Sequence, residues 1–219
     1  MNSEIIITTL ITGVFTVIVA LIARKNKNLI QEKQELLIQN EKIINELAAI
    51  SILFNHKFII LLNEVIEEIF AHTKTTRFVM SFAVNGKTDF NHVTACFERN
   101  KNPEFTVAAK KYNRLKVDSI YKKMLKKIEF VDKEIINTNS MEPGLLKNIY
   151  QSFDEQIENS LVYFLDRITI DSSNDLLLYC SIATTDKSLF DNKEIFLIDT
   201  NINRIKTESI KRLSVTSEF

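Results

Sequence analysis

The chain has 219 residues, with 28 basic and 28 acidic side chains and a formal net charge of zero; 45% are hydrophobic and 26% charged, the balance of an ordinary folded domain. Zero net charge argues against a protein that coats nucleic acid. Gly13, Gly86 and Gly144 are too scattered for a phosphate-cradling loop, and Cys96 and Cys180 are too few for a disulfide framework or a four-cysteine zinc site.

Residues Ile5–Ala23 carry no charge. At about 1.5 Å per residue such a helix spans roughly 28 Å, close to the hydrocarbon thickness of a bilayer. A cleaved signal peptide would place its positive charge before the apolar run. Here Glu4 precedes the run, and Arg24, Lys25 and Lys27 follow it. The expectation is a single transmembrane helix over residues 1–25 in the inner membrane. Lys and Arg flanks stay on the cytoplasmic side, so the N-terminus faces outward and the rest lies in the cytoplasm. Reduced cysteines fit that compartment.

Residues 26–51 hold no Gly or Pro and read as a helical stalk. Leu29, Leu36, Ile43 and Ile50 repeat every seven residues; Lys33, Asn40, Leu47 and Phe54 form the second column of a weak coiled coil. A parallel homodimer is favoured, since membrane tethering raises local concentration. The alternative is one amphipathic helix packed on the following domain.

Beyond the stalk, helix and strand alternate. Residues 52–72 place Leu53, Ile60, Leu61, Val65 and Ile69 at helical spacing. Thr76–Val84 reads as a strand, Asn85-Gly86 as a turn and Asn91–Arg99 as the next strand. A loop containing Pro103 leads to a basic amphipathic helix over 112–128. A short strand follows over 129–136, then a loop over 138–144 and a helix over 145–158. Strands 162–170 and 176–183 flank Asp171-Ser172-Ser173-Asn174, which is hairpin chemistry. A last helix runs from Asp191 to Leu213, with Asp191 as N-cap and Glu194 completing a capping box. The fold class is α+β: an antiparallel sheet flanked by helices, preceded by a transmembrane helix and a stalk.

Three segments resemble a GAF domain, the small sensory fold related to PAS. Arg77–Gly86 is similar to its first strand, Ser160–Ala183 to its paired late strands, and Ser188-Leu189-Phe190-Asp191 to its close, where a Phe precedes an acidic cap. The resemblance covers residues 52–213; residues 214–219 are a tail. Membrane-anchored bacterial and phage proteins with helix, stalk and such a domain in this order also look similar. The resemblance implies a sensory, ligand-binding or partner-binding role in signalling. The chain departs from family patterns in having Leu177-Leu178-Tyr179 where many members carry a Gly, and Val84 where some carry a His. Neither Cys lies beside a His as in bilin attachment, and no cyclic-nucleotide pattern is recognisable.

Candidate sites follow. A pocket between the sheet and its covering helices is expected to be lined by Phe82, Cys96, Glu98, Tyr121 and Tyr179, with Glu98 fixing a ligand's polar group. The simpler reading of the same residues is as core and edge. From Lys110 to Lys127 eight basic residues face one acid, Asp118. That run is a solvated helix face or, through Lys116, Lys122, Lys123, Lys126 and Lys127, a contact for an anionic leaflet. Without an interleaved series of stacking aromatic residues, nucleic acid is disfavoured. His56, His72 and His92 have no identifiable partners, and Asp154, Glu155 and Glu158 read as a solvated helix face. No cofactor, metal set or nucleophile–base pair is legible. With no output module after residue 213, the expected function is a membrane-anchored sensory or binding module without its own catalysis. The alternative is an oligomerising membrane scaffold whose GAF-like fold has no ligand.

Overall fold

A computed structural model of the chain describes residues 24–214, apart from positions 39, 42–43, 45–47, 49–50, 52, 87–88, 107–110, 152–155 and 172–173. The chain divides into two units, Met1–Ala48 and Ala49–Phe219. The expected membrane helix over Ile5–Ala23 lies outside the described residues. Among the described residues, no helix is long and apolar enough to cross a membrane.

In the first unit, residues 24–38 are helical, as the absence of Gly and Pro predicts. Arg24, Lys25 and Lys27 are exposed there, and so are Leu29 and Leu36 of the heptad column. The last expected member of the second column, with Lys33, Asn40 and Leu47, belongs elsewhere. Phe54, in the second unit, stacks on Phe97 at 6.2 Å and meets Phe58 edge-on at 5.9 Å. Its neighbour Leu53 is fully buried.

The second unit begins with helix α1 (His56–His72), capped by Asn55, whose side chain accepts from the Phe58 N–H at 3.1 Å. Strands β1 (Arg77–Gly86) and β2 (Asp89–Asn100) form a hairpin. Strand β3 (Leu115–Lys116), helix α2 (Ser119–Val131) and strand β4 (Lys133–Asn137) follow. Helix α3 (Leu145–Gln151), strands β5 (Asn159–Asp171) and β6 (Asn174–Thr184) and helix α4 (Asn192–Ser214) complete the unit. Six strands make one antiparallel sheet in the order β3-β2-β1-β6-β5-β4.

The sheet is apolar on both faces, and helices cover each. On one face Phe78, Met80 and Phe82 of β1 and Leu178, Cys180 and Ile182 of β6 pack with α1 and α4. On the other, Val79, Ala83, Leu177 and Tyr179 pack with α2 and α3. Adjacent strand residues therefore serve opposite layers, the period-two rule that makes both faces core. The last helix has the predicted box: Asp191 Oδ1 accepts from the Lys193 and Glu194 N–H groups at 2.8 and 2.9 Å, and Glu194 Oε2 accepts from the Asp191 N–H at 2.9 Å.

Several boundaries differ from the sequence reading; residues 129–131, expected in a strand, end α2, and β4 begins at Lys133. Asn85 and Gly86 are not the turn. Both pair with β2 and with β6, and the connection is residues 87–88. The basic helix starts at Ser119 rather than 112, because Asp118 caps it by accepting from the Tyr121 N–H at 2.8 Å. Leu115 and Lys116 form the missed edge strand on Val93 and His92. The helix from Leu145 is described as far as Gln151, residues 156–158 are not helical, and β5 already begins at Asn159.

Candidate functional site

The layer between the sheet and α2–α3 holds a group of buried hydroxyls. Strand alternation points Arg77, Val79 and Ser81 of β1, Tyr179 and Ser181 of β6, and Val162 of β5 into it. Helix α2 adds Tyr121 and Met124, and α3 adds Leu146, Ile149 and Tyr150. Asp118 fixes both helices. Its Oδ1 caps α2, and its Oδ2 accepts from the Leu145 N–H at 2.6 Å where α3 begins. Gly144 makes that approach possible, since a Cβ there would lie 2.8 Å from Asp118 Oδ2.

Two hydrogen-bonded groups meet in this layer. The Tyr121 and Tyr179 hydroxyls are 2.7 Å apart. The Tyr150 hydroxyl donates to Ser160 Oγ at 3.1 Å and lies 3.1 Å from Ser181 Oγ, and the two serine hydroxyls are 2.7 Å apart. Burial pushes the Tyr121, Tyr150 and Tyr179 phenols above their ordinary range. They therefore stay neutral and act as hydrogen-bonding groups, not as bases. Arg77 Nε lies 3.5 Å from Glu98 Oε1, and both side chains are almost wholly buried. Arg77, Tyr121, Tyr150, Tyr179 and Ser181 border a cavity of about 40 Å³. That is room for about three waters at 10–15 Å³ each.

The five expected lining residues divide between the two faces. Tyr121 and Tyr179 meet in the hydroxyl layer, and Glu98 joins them through Arg77. Phe82 and Cys96 pack on the opposite face, against α1 and α4. The separator is a β-bulge: Met80 pairs with Phe97 and Ser81 with Ala95, leaving Cys96 as the extra residue. Simple alternation would have put Cys96 and Glu98 on one side; the bulge moves Glu98 to the other. Cys96 donates its thiol to the Met80 carbonyl at 3.2 Å, and burial pushes both Cys96 and Cys180 well above the ordinary thiol range. Buried, undissociated thiols are poor nucleophiles.

Sequence reading missed Arg77, Ser81, Tyr150, Ser160 and Ser181. The available signal was polar residues two apart within apolar strands, Tyr179 and Ser181 in β6 above all. Tyr150 had none, because its place depends on how α3 lies over the sheet.

The basic residues are dispersed. Lys116 is on edge strand β3, while Lys122, Lys123, Lys126 and Lys127 are on α2. Lys122 and Lys126 share Asp89 at 2.6 and 3.5 Å, and Lys127 pairs with Glu134 at 2.6 Å. His56 and His72 are exposed at the two ends of α1, and His92 is half-buried on β2. Asp154 and Glu155 lie outside the described residues, and Glu158 accepts from Asn139 Nδ2 at 2.6 Å. Among the described residues, no group of three or more His, Cys, Asp or Glu side chains is placed to hold a metal ion.

No protein-family model matches the sequence, and no curated protein is similar to it. Solved structures are. A far-red cyanobacteriochrome photoreceptor superposes with a TM-score of 0.50 at 15% identity, covering 81% of this chain and 98% of its own. The GAF domain of a two-component sensor histidine kinase from Bacillus halodurans gives 0.49 at 8% identity, covering 72% and 95%. A GAF domain/HD domain protein from Geobacter sulfurreducens gives 0.45 at 14% identity, covering 67% and 88%. At these identities the likeness concerns the fold alone: α+β, with a six-stranded antiparallel sheet flanked by helices, like the fold of the photoreceptor.

Proposed function

We propose that this chain is a membrane-anchored sensory module. A small molecule binds in the hydroxyl layer, and the chain has no catalytic output of its own. The observation that carries the reading is convergence. Arg77, Ser81, Tyr121, Tyr150, Tyr179 and Ser181 come from four separate elements to one cavity. Few convergent polar groups in an apolar layer are what a small-molecule site requires. Entry of anything larger than a few heavy atoms opens the Tyr121–Tyr179 bond, so ligand binding and the position of α2 are coupled. Sensing is also what the photoreceptor of like fold does by its name, and it is carried to this chain as part of the proposal.

In this reading Ile5–Ala23 crosses the inner membrane with its N-terminus outside, Arg24, Lys25 and Lys27 hold the cytoplasmic flank, and a dimeric stalk holds two copies together. Output passes through a signalling partner. Protease added outside intact cells then spares the bulk of the chain, and digestion reverses the topology.

Native mass spectrometry of the full chain in detergent tests the binding role, with thermal stabilisation by a metabolite panel as its second readout. A retained small molecule, or a metabolite that raises the melting temperature in the parent but not in Tyr179→Phe, supports it. A clean mass with no stabilisation overturns it. That result would favour a ligand-free membrane scaffold, a reading to which the small cavity and its mutually bonded hydroxyls already lend weight.

A further inference from the structure

Helix α2 buries Tyr121, Met124, Leu125 and Ile128 along one stripe. Directly opposite lies Phe130, the most exposed large hydrophobic side chain among the described residues, at 91%. It follows Lys123 by seven residues, Lys126 by four and Lys127 by three, so these three lysines share its face. All three are exposed, and Val131 beside Phe130 is 46% exposed. An aromatic ring ringed by lysines on the outward face of a helix serves nothing in the core.

The surrounding carboxylates are already engaged. Glu129 pairs with Arg167, Asp132 with Lys206, Glu134 with Lys127, and Asp89 with both Lys122 and Lys126. Among the described residues, Lys123 on this face has no ion-pair partner. The face therefore keeps a positive surplus around an apolar tip.

We infer that the outward face of α2 docks on an anionic bilayer surface, with Phe130 inserted among the acyl chains and Lys123, Lys126 and Lys127 at the lipid phosphates. The geometry suits a bilayer. A single ring gives shallow insertion, and lysine stems lie along apolar surface while their ammonium groups reach outward. Charge complementarity selects anionic lipid. The docking does not depend on the anchor at Ile5–Ala23; the anchor only raises the local concentration.

The chain has no tryptophan, so Phe130→Trp introduces a single reporter into the full-length protein. Its emission is read in detergent, in phosphatidylcholine vesicles, and in vesicles containing about one third phosphatidylglycerol, with brominated lipid as quencher. The expected result is a blue shift and quenching in the anionic vesicles alone. Salt at about 1 M, where screening acts within about 3 Å, reverses both, and Lys123→Glu with Lys126→Glu abolishes them. Water-like emission in every vesicle overturns the inference, and so does an equal shift in both lipid compositions. A blue shift already present in detergent and growing with protein concentration assigns the face to a second copy of the chain and overturns it too.

Discussion

The hydroxyls of Tyr121 on α2 and Tyr179 on β6 lie 2.7 Å apart in a buried layer, so one phenol must donate and the other accept. Their separation of 58 positions in sequence makes this bond a direct tie between helix and sheet. Tyr121→Phe leaves the Tyr179 oxygen without that partner and is expected to cost about 1–3 kcal/mol in chemical denaturation. Tyr121→Phe and Tyr179→Phe together cost less than the two single changes added, because each alone breaks the same bond.

Four of the five tyrosines, Tyr121, Tyr150, Tyr163 and Tyr179, are pushed above the ordinary phenol range, each chiefly by burial. The native state therefore keeps protons that the unfolded chain releases above about pH 10. Their contribution to stability is whole below that pH and is lost as pH rises beyond it. Phenolate absorbance and loss of circular dichroism are expected to rise together for these four residues. Full ionisation in a chain that is still folded would refute their burial.

Arg77 and Glu98 form a buried pair between adjacent strands, their side chains 4% and 1% exposed. Glu98→Ala removes the carboxylate that faces the buried guanidinium and is expected to cost about 3–5 kcal/mol. Arg77→Leu with Glu98→Leu recovers most of that loss, since removing both charges removes the desolvation penalty. Equal losses in the single and double variants would contradict this account.

The cap of α4 makes an acid-side prediction. Hydrogen bonds from the Glu194 N–H, then the Lys193 N–H, hold the Asp191 carboxyl below the ordinary range. That contribution is present above about pH 4 and disappears as pH falls further. Asp191→Asn keeps the cap at neutral pH and flattens the acid limb of stability, read as denaturation midpoint against pH. Glu194 has a wider role, since it also accepts from the Lys74 N–H at 2.9 Å and pairs with the Lys74 ammonium at 3.3 Å. Glu194→Ala is therefore expected to cost about 1–3 kcal/mol.

For the stalk, Leu36→Glu with Ile43→Glu places charge on the heptad column. The dimer proposed above should become a monomer in detergent by light scattering. An unchanged mass would remove the stalk as its interface.

Sequence alone determined the parts of this protein that depend on local chemistry. Near-continuous apolar runs over Arg77–Val84 and Leu176–Ala183, bounded by turn residues, identified the central strands, and Asp191 with Glu194 marked the start of α4, because runs and caps are local signals. Boundaries failed where a distant partner chose the outcome. Gly86 stays in β1 because β2 and β6 both pair with it, and the helix over 112–128 loses about its first two turns, partly to β3 and the Asp118 cap. The site was legible only in part, as Tyr121, Tyr179 and Glu98. The bulge at Cys96 reverses the facing of every residue after it, and nothing in the alternation announces it. Whether Glu98 joins Arg77 or Cys96 was decided by how β2 packs in the sheet, since a shift of one residue changes the face of a strand side chain while leaving its sequence pattern intact.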